Sequence, residues 1–239
     1  MQIHTESGNL WPTPTLTLVL EDSQHFNSQL AQVVQREEKK ILGKSKPTEV
    51  AGIKEGLSAY WLNFNVLNWE YPEIVEFRNI VLRGVRQWIS LVGDPSAPGM
   101  QISGISCWAN VLRHGESLTV HHHDPAFVSA HYTVQSGCNG EVKPKSSDSG
   151  HTIYFRPGFL DRSHGGDAFL TPSPWDDDWR IDKPPVEGRL FFFPSFVRHE
   201  VRPYFGATQR ISIAMDVFLK CQTLPIYFGG PRWFVPKLE

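Results

Sequence analysis

The chain has 239 residues, 40% of them apolar, with 23 basic against 25 acidic side chains and a formal charge of −2. That length supports one substantial core rather than two very small ones. The even mixture of charge leaves no polybasic arm for non-specific binding to phosphate backbones, so nucleic acid is not implied as a partner.

Three cysteines, Cys107, Cys138 and Cys221, are too few and too scattered for a disulfide framework or a CxxC metal knuckle, and they suit a reducing compartment. The opening segment MQIHTESGNLWPTPTLTLVLED has an early acid, no basic leader region and only a short apolar run. It reads as neither signal peptide nor membrane span, and nothing in the chain approaches about 18 consecutive apolar residues. A cytoplasmic protein with no membrane partner is the expectation.

In chain order, residues 14–20 (PTLTLVL) predict a β-strand from their β-branched content and partial alternation. Residues 22–38 predict a helix, with Asp22 or Ser23 as its cap and Phe26, Leu30 and Val33 or Val34 on one stripe. Residues 39–57 are polar and glycine-bearing and read as a surface loop. Residues 72–91 form the strongest helix signal. Pro72 suits the first turn, and Ile74, Phe77, Ile80, Val81, Val85, Trp88 and Ile89 make a broad apolar face.

Beyond Gly93 the periodicity changes to that of strands. QISGISCWANVLR, LTVHHH and FVSAHYTV follow one another between 101 and 134, broken by HGES and DPA. Residues 135–188 concentrate turn chemistry around one short strand, TIYF at 152–155, and read as a long excursion over a site. Strands resume with GRLFFFP (188–194), FVRHEVRP (196–203) and QRISIAMDVFL (209–219). Two helices followed by at least six short strands argue against βαβ alternation. They favour helices packed outside a closed or sandwiched antiparallel sheet. The expected organisation is one domain over 1–239: supporting elements over 1–100, a β core over 101–219 and a tail over 220–239.

The densest polar cluster is His121, His122, His123 and Asp124, at a strand end. Residues i and i+2 of a strand share a face, so two pairs are on offer, His122 with Asp124 and His121 with His123. Either pair joined by His199 would give three ligands from antiparallel strands. His122, Asp124 and His199 would make the two-histidine, one-carboxylate face that holds non-haem Fe(II) with positions open. His121, His123 and His199 would make an all-nitrogen face with less negative charge.

Arg210 lies eleven residues past His199, a distance suited to the next antiparallel strand, where alternation sets it on one face with Ser212. An inward-pointing arginine needs a partner, because an unpaired buried charge is expensive. A dicarboxylate ligand would accept its bidentate grip, with Ser212 adding a bond; a protein acid, Asp216 or Glu200, is the alternative. Trp108 and Asn110 share a face of their strand. Asn110 or Tyr132 could bond a co-substrate carboxylate, and Trp108 could wall the pocket.

The stretches WAN at 108–110 and HHHDPAFVSAHYTV at 121–134 resemble the first half of a family of small 2-oxoglutarate/Fe(II)-dependent oxygenases. GRLFFFPSFVRHEVRP, from Gly188 to Pro203, followed by QRISI, is similar to that family's ending: an apolar strand, Phe-Pro-Ser, a distal metal histidine, then Arg-x-Ser. The resemblance spans roughly 101–219. It implies a mainly β fold with flanking helices, a double-stranded β-helix or jelly roll of cupin type. It implies Fe(II), 2-oxoglutarate and O2 as cofactors, with Arg210 and Ser212 on the distal carboxylate of 2-oxoglutarate.

Members of the nearer group often show His-x-His where His121 and His123 align, whereas the broader superfamily uses His-x-Asp/Glu. The expectation adopted is His122, Asp124 and His199, because a carboxylate neutralises Fe(II), with His121 and His123 as the register alternative.

The expected reaction is hydroxylation of an unactivated C–H in a small amino-acid-like, peptide or other carboxylate-bearing substrate, with release of succinate and CO2. The competing readings are a cupin-like metalloenzyme that does not use 2-oxoglutarate and a non-catalytic β-helix binding protein. Substrate contacts are expected from Trp61 and Trp69 and from Arg156, Arg162, His164, Trp175 and Trp179 of the excursion. An exposed sheet edge or the 72–91 helix could mediate a homodimer.

Overall fold

The structure, a computed structural model, describes residues 13–43, 56–92, 101–137, 148–157, 180–220 and 233–234. It contains two antiparallel sheets with two helices laid against the larger one. The strands are β1 (Leu16–Val19), β2 (Gln101–Leu112), β3 (Leu118–His121), β4 (Val128–Gln135), β5 (Thr152–Phe155), β6 (Arg180–Lys183), β7 (Arg189–Pro194), β8 (His199–Val201), β9 (Arg210–Lys220) and β10 (Trp233–Phe234). The helices are α1 (Gln24–Leu42) and α2 (Pro72–Val92). The six-stranded sheet runs β1-β7-β4-β9-β2-β10 and the four-stranded sheet β3-β8-β5-β6. This is the β architecture with outside helices that the element order predicted.

Alternation along the central strands explains how the two layers are held. On β9, Ile211, Ile213, Met215 and Val217 are fully buried on one side. The same side of β2 contributes Ile105, Cys107, Ala109 and Val111, and β4 contributes Val128, Ala130, Tyr132 and Val134. These residues form one continuous core with the apolar stripes of the helices: Leu30, Val33 and Val34 of α1, and Ile74, Phe77, Val81, Val85 and Trp88 of α2. Burying such side chains is worth roughly 1.5–3 kcal/mol each, so this helix-side core anchors the sheet whose opposite face carries the polar residues.

Gly84 lets α2 approach β7 closely, because a Cβ there would lie 2.5 Å from the Phe192 ring. At the centre of this core Tyr132 packs on Phe77 and donates a hydrogen bond to Asn27 Oδ1 at 2.5 Å.

Two element boundaries differ from the sequence expectation. Helix α1 continues four residues past Glu38, to Leu42. Ile41 packs against the core, and Lys39 and Lys40 sit in the last turn, where positive charge is favourable to the helix dipole. The strand expected over 196–203 is confined to His199–Val201, with a turn at 195–196 ahead of it. Two short 3-10 helices, Leu57–Tyr60 and Val66–Asn68, and strands β6 and β10 have no counterpart in the sequence reading.

Asn65 tethers one of the short helices: its side chain accepts from Leu67 N at 2.9 Å and donates to Ile105 O at 2.8 Å. Among the described residues no helix is long and apolar enough to cross a membrane. Cys107 is buried in the core, and burial pushes its thiol pKa well up. Cys138 and Cys221, like Arg162, His164, Trp175 and Trp179, lie outside the described residues.

Candidate metal and co-substrate site

The polar faces of β2, β4 and β9 meet the four-stranded sheet around a cavity of about 310 Å³. The inward residues follow from pairing register. Asn110 lies opposite Ser212, Trp108 opposite Ala214 and Ser106 opposite Asp216 across the β2–β9 ladder. Ser129 lies opposite Asp216 and His131 opposite Ala214 across β4–β9. From the smaller sheet, β3 pairs with β8 so that His121 sits directly across from His199. That pairing joins the histidine run to the distal histidine.

The structure brings together His121, His123 and His199, whose candidate ligand nitrogens all lie within 4.8 Å of one another. Their ring centroids are 4.3–5.0 Å apart. In each ring Nδ1 is already engaged. His121 Nδ1 donates to Thr119 O at 2.6 Å, His199 Nδ1 to Val197 O at 3.0 Å, and His123 Nδ1 faces Asp216 Oδ2 at 3.2 Å. An imidazole that donates from Nδ1 keeps its lone pair on Nε2, so each ring is set in the tautomer that offers Nε2.

His123 Nε2 and His199 Nε2 are 3.3 Å apart. Adjacent ligands on one metal, each bonded at about 2.1 Å, stand at about this separation. Burial, followed by the charges of His121 and His123, holds the His199 pKa well below its usual value. Burial likewise lowers His121. Neutral imidazole is the form that can bind a metal, so the donor set fits a divalent transition ion.

His122 and Asp124, the pair adopted in the expectation, stand apart from this cluster. They face each other, His122 Nδ1 to Asp124 Oδ2 at 3.2 Å, with side chains 46% and 56% exposed at the cavity rim. Strand β3 ends at His121. The turn that follows, with His123 N donating to Ser195 O at 2.9 Å, keeps His123 on the side of His121 and leaves His122 and Asp124 together on the other.

Arg210 is 1% exposed, lines the cavity and donates from Nη1 to Ser212 Oγ at 3.2 Å. Gly150, at φ +68°, allows the approach, since a Cβ there would stand 3.2 Å from Arg210 Cδ. The acids considered as partners for Arg210 are engaged elsewhere, Glu200 with Arg202 at 3.3 Å and Asp216 with Ser129 and His123. Asn110 and Trp108 line the cavity as expected. Asn110 Oδ1 accepts from Ser58 Oγ at 2.7 Å, and Trp108 packs between Trp61 and His123, its ring tilted to both, at centroid distances of 5.7 and 5.6 Å.

Tyr132 does not belong to the site. It points into the helix-side core, because the cavity-facing register of β4 is Ser129 and His131. Its neighbour His131 takes the place expected of it. Tyr154 OH hydrogen-bonds His131 Nε2 beneath Phe191 and Phe193. Burial first, then the charges of Arg210 and Lys183, lower the His131 pKa to about 3, and burial pushes Tyr154 well up.

Sequence reasoning also missed Ser58 and Ser106; the Ser106 Oγ is buried in the cavity wall with no partner among the described residues. Ser106 shares an alternation with Trp108 and Asn110, and Asp216 shares one with Arg210 and Ser212, so those two were legible in the pattern. Ser58 was not, since it comes from outside the sheet.

Fold and cavity together define a double-stranded β-helix. Residues 106–216 match the family described as "Putative 2OG-Fe(II) oxygenase". Three solved structures show the same architecture. A prolyl-4-hydroxylase of Pseudomonas putida has a TM-score of 0.54 at 17% identity, over 87% of this chain and 94% of its own. A prolyl hydroxylase from Trichoplax adhaerens, in complex with a hypoxia inducible factor oxygen degradation domain peptide fragment, has 0.53 at 13%, over 85% and 83%. AviO1 from Streptomyces viridochromogenes Tue57 has 0.53 at 10%, over 90% and 92%. No curated protein sequence matches the chain.

Proposed function

We propose that the protein is an Fe(II)- and 2-oxoglutarate-dependent oxygenase that hydroxylates a C–H bond of a small amino-acid-like, peptide or other carboxylate-bearing substrate. His121, His123 and His199 would hold Fe(II) through Nε2, and Arg210 with Ser212 would bind the distal carboxylate of 2-oxoglutarate. The observation that carries the reading is the presence, in one cavity, of three histidines poised in the metal-binding tautomer and a buried arginine–serine pair. When Fe(II) and 2-oxoglutarate are bound, O2 is consumed with conversion of the co-substrate to succinate and CO2 and insertion of one oxygen atom into the substrate.

The chain's own residues orient and enclose. Arg210 offers a planar fork of donors suited to a carboxylate. Asn110, held by Ser58, presents its amide to the same cavity. Tyr154 and His131 keep a neutral hydrogen-bonded floor beside the arginine. Trp61 and Trp108 wall the opening against water and supply an apolar face for a substrate side chain. Two of the structures of similar fold are prolyl hydroxylases, one of them in complex with a peptide fragment, which is compatible with hydroxylation of a peptide-like substrate.

The test is anaerobic titration of the Fe(II)-loaded protein with 2-oxoglutarate, following the visible metal-to-ligand charge-transfer band. Wild type and His122→Ala should show a saturable band, and His123→Ala should lose it while remaining folded. Loss in His122→Ala or Asp124→Ala with retention in His123→Ala would return the register to His122, Asp124 and His199. Iron bound with no band in wild type would indicate a metalloenzyme that does not use 2-oxoglutarate.

A further inference from the structure

The three-histidine set leaves a question of charge. Three imidazoles bring no negative charge to a divalent ion, whereas a two-histidine, one-carboxylate face brings one. A carboxylate is nonetheless present one bond further out. Asp216 lies on β9, between β2 and β4 in the ladder, directly opposite Ser106 on one side and Ser129 on the other. It is 8% exposed and lines the cavity.

Ser129 Oγ donates to its Oδ1 at 2.6 Å, and its Oδ2 faces His123 Nδ1 at 3.2 Å. Among the described residues no lysine or arginine forms an ion pair with Asp216. A carboxylate buried with only a hydroxyl and an imidazole for company is costly. A cation reached through His123 would offset that cost. The other two histidines lean on backbone carbonyls, so His123 is the one ligand whose outer partner carries a charge.

We propose that Asp216 is the anionic counter-group of this metal site. Resting on the three-histidine reading, the proposal makes Asp216 a positioning residue that fixes the His123 ring, makes its Nε2 a stronger donor and supplies the charge the ligand set lacks. Outer partners of this kind alter metal affinity by about 10- to 100-fold. Ser129 holds the carboxylate in place and should matter less.

The experiment is a chelator-competition titration of the full chain with Co(II), with the d–d absorption recorded at saturation. Proteins compared are wild type, Asp216→Asn, Ser129→Ala, His122→Ala and His199→Ala. Asp216→Asn keeps the shape and an acceptor while removing the charge. It should bind Co(II) about 10- to 100-fold more weakly, with the coordination number unchanged in the spectrum. Ser129→Ala, which leaves the carboxylate intact, should show a smaller loss in the same direction, and it carries the test if Asp216→Asn does not fold.

Wild-type affinity in Asp216→Asn, or in Ser129→Ala should that variant stand alone, overturns the proposal if His199→Ala has lost Co(II). A spectrum showing one fewer oxygen ligand in Asp216→Asn overturns it in favour of direct ligation by Asp216. Unchanged binding in His199→Ala would instead remove the metal reading on which the proposal stands.

Discussion

His131 offers a quantitative check on the electrostatics of the cavity floor. Its imidazole has a usual pKa of 6.5, lowered in the folded chain to about 3 by burial and by the nearby charges of Arg210 and Lys183. Above the unfolded value both states are neutral and the group contributes nothing to pH dependence. As pH falls below 6.5 the unfolded chain takes up a proton that the folded chain refuses, so stability is lost down to the folded value. Integrating that difference from about pH 7.5 to about pH 5 gives roughly 2 kcal/mol from this one residue.

His131→Gln keeps a hydrogen-bonding partner for Tyr154 and removes the titration. Urea unfolding of the metal-free protein at the two pH values would measure the effect. Wild type should lose about 2 kcal/mol more than the variant over that interval. An equal loss in both proteins would refute the assignment of His131 as a neutral imidazole in the folded chain, whatever the total slope. His199 and His121, whose pKa values are also lowered by burial, should leave a residual slope of the same sign in the variant.

Other consequences can be checked in the same preparations. Arg210→Lys keeps the charge and loses the planar fork. It should weaken 2-oxoglutarate binding by about 10- to 100-fold with Co(II) affinity unchanged, and equal loss of both would make Arg210 a folding residue. Tyr132→Phe removes a buried hydrogen bond to Asn27 and should cost about 1–3 kcal/mol in urea unfolding without altering the 2-oxoglutarate dissociation constant; a shift in that constant would place Tyr132 at the site after all. Gly84→Ala drives a methyl group toward the Phe192 ring, which it would approach to 2.5 Å. Overpacking of this kind should lower stability by about 1–3 kcal/mol, and an unchanged melting temperature would contradict the close α2–β7 packing.

The sequence by itself determined the β architecture, the two supporting helices and the pairing of Arg210 with Ser212. All three depend on local periodicity, and periodicity is what long alternating strands such as β9 and amphipathic helices such as α2 display most clearly. His199 stood out through the resemblance, which places a distal histidine after an apolar strand and Phe-Pro-Ser, and it belonged to both candidate ligand sets, so its place did not hinge on register. The distal arginine strand follows at a distance an antiparallel return requires.

What only the tertiary structure decided was which face each ambiguous residue takes. A shift of one residue in a strand's register sends every side chain to the opposite side. Tyr132 and His131 are adjacent, both aromatic and both able to bond a carboxylate; pairing of β4 with β9 and β7 put His131 in the cavity and Tyr132 against Phe77. In the run from His121 to Asp124, alternation offered two sets, and charge neutralisation at the metal favoured the one containing Asp124. The strand stops at His121, opposite His199, and the turn after it brings His123 inward while Asp124 stays at the rim. Among the described residues a buried carboxylate comes instead from Asp216, almost a hundred residues away in sequence, and only the folding of β9 beside β4 brings it to His123.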